Sequence, residues 1–137
     1  MALNDALKTD FDAPYRDGEL LPAPVAKGEF IPAGTIVCIN AKGFAVGGSE
    51  AADLTYAGRA ETFVDNTDGQ DGDATVLIRR KKVFRWLNDG TITQDMLFKS
   101  VYILNNRTLA GADGATAGSR SKAGVLVMLD GDGVWIE

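Results

Sequence analysis

From Phe30 onward the chain is a series of short apolar stretches, each cut off by Gly, Asn or Asp. Runs of this length between turn residues predict strands rather than helices. "GEFIPAGTIVCINAKGFAVGG" reads as turn, strand, turn, strand, with Pro32-Ala33-Gly34 fitting the first turn. Side chains alternate along a strand, so in "TIVCIN" Ile36 and Cys38 face one way, Val37 and Ile39 the other. All four are apolar, and such a strand is expected to be buried on both faces, inside a sandwich or barrel. A further strand is predicted around Leu54 to Val64, with Gly58 marking a bulge or a close backbone contact. "ATVLIRRKKVFRWLND" is long for one strand and is expected to kink near Arg80-Lys81. "TITQDMLFKS" holds the one helical turn, with Thr93 placed to cap it. "SVYILNNRTLA" reads as two strands about Asn105-Asn106. The end reads as a hairpin, Val125 to Leu129 and Val134 to Ile136, turning at Asp130 to Gly133. About eight to ten short strands follow from this pattern. The expected fold is all-β: a single small β-sandwich or partly closed β-barrel over residues 28–137, with one short helical turn.

Residues 1–27 have a different texture. They hold three of the four prolines and no clear periodicity. Phe11, Tyr15, Leu20 and Leu21 are scattered large apolar residues that cannot build a core of their own. This segment is expected to be an extended N-terminal arm, lying on its own domain or on a neighbour.

Histidine is absent and Cys38 is the single cysteine. Ser-His-Asp and Cys-His catalysis, His-ligated metals and an intrachain disulfide are therefore impossible within this chain. Carboxylate or Lys chemistry stays open in principle, but the acidic residues are too numerous to single out a pair. The expectation is a non-enzyme with no catalytic residues and no cofactor. A net charge of -5 argues against nucleic acid as a partner. No signal peptide and no apolar stretch of membrane-spanning length is evident, so no membrane association is expected.

"VDNTDGQDGDATVLIRR" contains four aspartates, Asp65, Asp68, Asp71 and Asp73, and invites a Ca²⁺-loop reading. Setting Gly69 at the glycine of an EF-hand loop puts Val64 at the first ligand position and Thr75 where the closing Glu belongs. Setting Gly72 there puts Gly69 at a ligand position and Ile78 at the closing Glu. Neither frame works, so no metal site is expected, and the segment reads as a solvated turn between two strands. Arg79, Arg80, Lys81, Lys82 and Arg85 form a basic stretch whose expected roles are a solvated strand surface or contact with an acidic protein partner. Trp86 and Trp135 could serve as a sugar platform, or as core or interface anchors.

Four stretches carry a resemblance: "IPAGTIVCINAKGFAVGG", "AGRAETFVDNTDGQDGDATVLIRRKKVFRW", "GTITQDMLFKSVYILNNRTLA" and "SRSKAGVLVMLDGDGVWIE". In this order they resemble the capsid cement (decoration, head-stabilising) proteins of tailed bacteriophages. The resemblance covers about residues 30–137 and leaves the arm uncovered. It implies a structural, non-enzymatic virion protein on the outside of the mature phage head, assembled in the bacterial cytoplasm. It implies the major capsid protein as partner, stabilised capsomer contacts and a homotrimer. The candidate contact residues are Phe11, Tyr15, Arg16, Leu20 and Leu21 of the arm, with Arg79, Arg80, Lys81, Lys82 and Arg85. The alternative is a carbohydrate- or host-surface-binding β module built on the tryptophans.

Overall fold

The alternation along Ile36 to Ile39 sets the architecture, because each face of that strand belongs to a different hydrophobic core. The computed structural model describes residues 7–14 and 16–137. Its strands are β1 (Leu20–Pro24), β2 (Phe30–Ile31), β3 (Ile36–Ile39), β4 (Ala45–Gly47), β5 (Thr55–Ala60) and β6 (Val64–Asp65). They continue as β7 (Thr75–Arg79), β8 (Phe84–Asn88), β9 (Ser100–Ile103), β10 (Thr108–Ala110), β11 (Lys122–Asp130) and β12 (Gly133–Ile136). One five-stranded sheet has the order β1-β7-β5-β3-β4, a closed barrel runs β10-β8-β12-β11-β9, and β2 pairs with β6 alone. The protein is all-β, as its turn-punctuated sequence predicts.

Ile36 and Cys38 join Trp86, Val101, Ile103, Leu109, Leu126, Val134 and Ile136 in the barrel-side core. Val37 belongs instead to a second core with Val25, Ile31, Ala45, Ala60, Val76 and Ile78. β3 is thus the wall shared by two cores, which is why its sequence carries no polar face. Gly58 sits opposite the register shift between Val37 and Cys38, so the expected irregularity in β5 is real.

The five-stranded sheet curls until its ends meet. Val25 forms a parallel bridge to Ala45, and the Ala26 N–H donates to the Ala45 carbonyl at 2.9 Å. On the same edge the Gly47 N–H donates to Glu29 Oε1 at 2.9 Å. An exposed strand edge is a template for unwanted pairing; here the residues that follow β1 cover it.

Leu20 to Ala26 fell within the expected arm, yet they form β1 and part of the second core. β1 pairs antiparallel with β7, from Leu20 opposite Arg79 to Pro24 opposite Thr75. Backbone bonds link Glu19 to Arg80 and Val25 to Ala74. By alternation Leu21 and Ala23 also face β7 with their backbone groups, while Pro22 and Pro24 fall at non-hydrogen-bonded positions. The prolines therefore cost no ladder bond and leave the outer edge of β1 poor in donors. Among the described residues the arm proper ends ahead of this strand.

The kink expected near Arg80-Lys81 is a turn between β7 and β8, with Lys81 in the left-handed region at φ 59°. The helical turn is a 3-10 turn at Gln94–Met96. Thr93 precedes it but makes no side-chain cap. The Met96 N–H is already taken by the Thr93 backbone carbonyl, and the Thr93 hydroxyl bonds the Asp95 carboxylate instead.

Burial pushes the Cys38 thiol and the Tyr56 phenol up to about 12 each. Both are acids held neutral by the folded state, so folding favours the protonated form and stability must fall as pH rises past the unfolded pKa. Each group should remove about 1.4 kcal/mol per pH unit, the thiol from about pH 8.5 and the phenol from about pH 10. Denaturant titrations across pH 8 to 11 check this, and Cys38→Ala should abolish the earlier phase.

Candidate functional site

The sequence offered two separate candidate regions, the arm and the basic stretch. The sheet joins them. Because β1 pairs with β7, Leu20 lies opposite Arg79 and Leu21 opposite Ile78. The Arg80 N–H then donates to the Glu19 carbonyl at 2.8 Å, and Arg80 Nη1 donates to the Gly18 carbonyl at 3.3 Å. Lys82 Nζ pairs with Glu19 Oε1 at 2.9 Å. A Cβ on Gly18 would lie 2.8 Å from Lys81 Nζ, so the Lys81 side chain crosses directly over that glycine. Arg80, Lys81 and Lys82 together hold the root of the arm against the turn. Exposed ion pairs are individually weak. The backbone bond and the β ladder give this junction its rigidity, and the cations shape its surface.

Arg79 is engaged elsewhere. Its guanidinium donates from Nε and Nη2 to Glu61 at 3.1 and 3.0 Å, and Arg59 Nη1 stands 3.8 Å from the same carboxylate. The Arg79 hydrogen bonds hold the Glu61 carboxyl below the usual range, and the same contact raises Arg79. Leu20 and Leu77 are each 38% exposed on this outer sheet face, beside the Arg59–Glu61–Arg79 trio. Phe11 is 87% exposed and Arg16 is exposed, both on the arm. Tyr15 lies outside the described residues.

Arg85 separates from the other cations because it lies in the barrel. Its guanidinium stacks 5.7 Å from the Trp135 ring centroid and stands 3.9 Å from Asp132. The Trp135 indole N–H donates to Asp130 Oδ2 at 2.9 Å, and that bond is the largest cause lowering the Asp130 carboxyl. Trp86 is only 5% exposed, with its indole N–H donating to the Tyr56 hydroxyl at 3.1 Å. Trp86 is a core residue and no platform, while one face of Trp135 is occupied by Arg85.

The acidic segment is not the tip of a hairpin, because β6 and β7 lie in different sheets. It is organised by Asn66, which is 4% exposed. Asn66 Nδ2 faces the carbonyls of Val25, Ala26 and Gln70 at 3.4, 3.0 and 3.0 Å. The aspartates serve as local acceptors: Asp65 for Thr67, Asp71 for the Lys27 N–H and Asp73 for the Gln70 N–H. Among the described residues no cluster of acidic or Cys side chains could hold a metal ion.

Gly18, Glu19, Glu61 and Asn66 were missed in the sequence. Cross-strand partners such as Glu61 and Arg79 become visible only once register is known. The one available signal, opposite charges on two strand-like segments, is too common to select a pair. Compared with known proteins, the chain matches no family model, no curated protein and no solved structure.

Proposed function

We propose that this is a structural, non-enzymatic virion protein that binds the outer surface of the mature phage head. It stabilises contacts between major capsid protein capsomers there, as a homotrimer assembled in the bacterial cytoplasm. The observation that supports this best is the junction of arm and basic turn. Leu20 on β1 lies beside the turn that carries Arg80, Lys81 and Lys82, while Leu21 alternates to the partly buried face, and the exposed arm residues Phe11 and Arg16 lead into this junction through Gly18 and Glu19. A surface of this kind, apolar anchors rimmed by cations, suits a protein partner with acidic groups. One copy needs only a modest interface of about 800 Å². A cyclic trimer presents three such interfaces at once, and the second and third contacts form at high effective concentration.

The test removes residues 2–16, stopping short of Gly18 and β1. Truncation further into the chain would strip Val25 from the second core and confound binding with unfolding. The shortened protein should melt as the full chain does, and bind heads at least about tenfold more weakly. Unchanged head affinity would remove the arm from the binding surface.

A further inference from the structure

Beneath the basic turn lies a cleft of about 390 Å³. Its floor is apolar, formed by Val83, Phe84 and Ile136, and Arg80, Lys81 and Lys82 form its rim. Glu137 is the one acidic residue lining it. Lys82 is paired with Glu19, whereas Arg80, bonded to the Gly18 carbonyl, and Lys81 have no ion-pair partner among the described residues. The cleft thus calls for an apolar side chain flanked by anions. The arm contains such a sequence in Asp10-Phe11-Asp12, an aromatic ring between two carboxylates.

We propose that this cleft receives Asp10-Phe11-Asp12 of a second copy of the chain, so that arms exchange between subunits. Phe11 would fill the floor, and its flanking carboxylates would meet the cationic rim. The match of charge and apolarity identifies the segment. Within the single chain Phe11 is 87% exposed and does not line the cleft, which leaves the cleft open to the arm of another copy. The six residue steps from Asp12 to Gly18 span about 20 Å when extended, enough to cross to a neighbour. Donation of each arm to the next cleft is a heterologous contact, which a rotation closes into a ring. This rests on the trimer reading above; it assigns Phe11 and Lys81 to the contact between subunits, leaves Arg16, Leu20 and Lys82 to face the head, and is measured on the free protein.

Two single variants of the full chain, Asp12→Cys and Val83→Cys, test it. Val83 is 44% exposed, so its replacement leaves both cores intact, and the native Cys38 is buried. Mixed and oxidised, the two variants should form a heterodimeric disulfide on a non-reducing gel. In sedimentation, Phe11→Ala and Lys81→Glu should each weaken self-association by about tenfold or more. No heterodimer, an intrachain link alone in the double variant, or self-association indifferent to Phe11 and Lys81 would overturn the proposal. Head binding enters none of these readouts, so arm exchange and the head-binding function fail separately.

Discussion

Asn66→Asp should remove about 3–5 kcal/mol of folding stability, a large share of what a domain this size possesses. The Asn66 side chain is 4% exposed, and its amide nitrogen faces the carbonyls of Val25, Ala26 and Gln70. An aspartate there sets a buried negative charge against carbonyl oxygens; if protonated instead, it offers one donor where the amide offers two. Asn66→Ala is the milder control, leaving carbonyls unsatisfied without adding charge, at a cost of about 1–3 kcal/mol. Asn66 ties the acidic loop to the residues that follow β1. Its loss should also loosen the strip covering β4, seen as faster amide exchange at Ala26 and Gly47. Stability unchanged from the native chain in both variants, measured by denaturant titration, would show that the amide does not organise this loop.

Gly58→Ala should cost about 4 kcal/mol, through steric overlap and backbone strain together. A Cβ at this position would lie 2.2 Å from the Arg79 carbonyl oxygen and 3.1 Å from Ile78 Cγ2, with φ at +148°. The clash is with backbone in the adjoining strand, so relief requires β5 and β7 to separate. β7 also carries β1, and the disturbance would reach the root of the arm. Gly28→Ala separates the two causes: φ is +75° there, but nothing lies within 4 Å of the added carbon. It should cost only about 1 kcal/mol. Thermal melting of the two variants measures the difference, and comparable losses would mean that the close β5–β7 approach is unimportant.

The legible parts of the fold were those governed by local pattern. Two-faced apolar alternation in β3, the irregularity at Gly58, the break after Arg79 and the closing hairpin all express side-chain period and turn chemistry. What stayed hidden depends on partners distant in sequence. The prolines in Leu20–Pro24 argued against a strand, because only register shows that their missing N–H groups face away from β7. Asn66 looked like one more polar turn residue, since burial is a tertiary property. The parallel pairing of β8 with β10, which helps close the barrel, leaves no mark on either strand. The candidate site shows the same division. Its cations and apolar residues could be named in advance, while their meeting at Gly18 and Glu19 could not. Arg85 looked equivalent to its neighbours until the turn placed it in a different sheet.

The proposed head-binding role would make the arm root and the basic turn one contact surface. Co-sedimentation of the purified full chain with undecorated mature tailed-phage heads tests this most directly. Saturable binding at a fixed number of copies per head, accompanied by greater resistance of the heads to heat, is the expected result. A chain that stays in the supernatant at every concentration, with head stability unchanged, would contradict it.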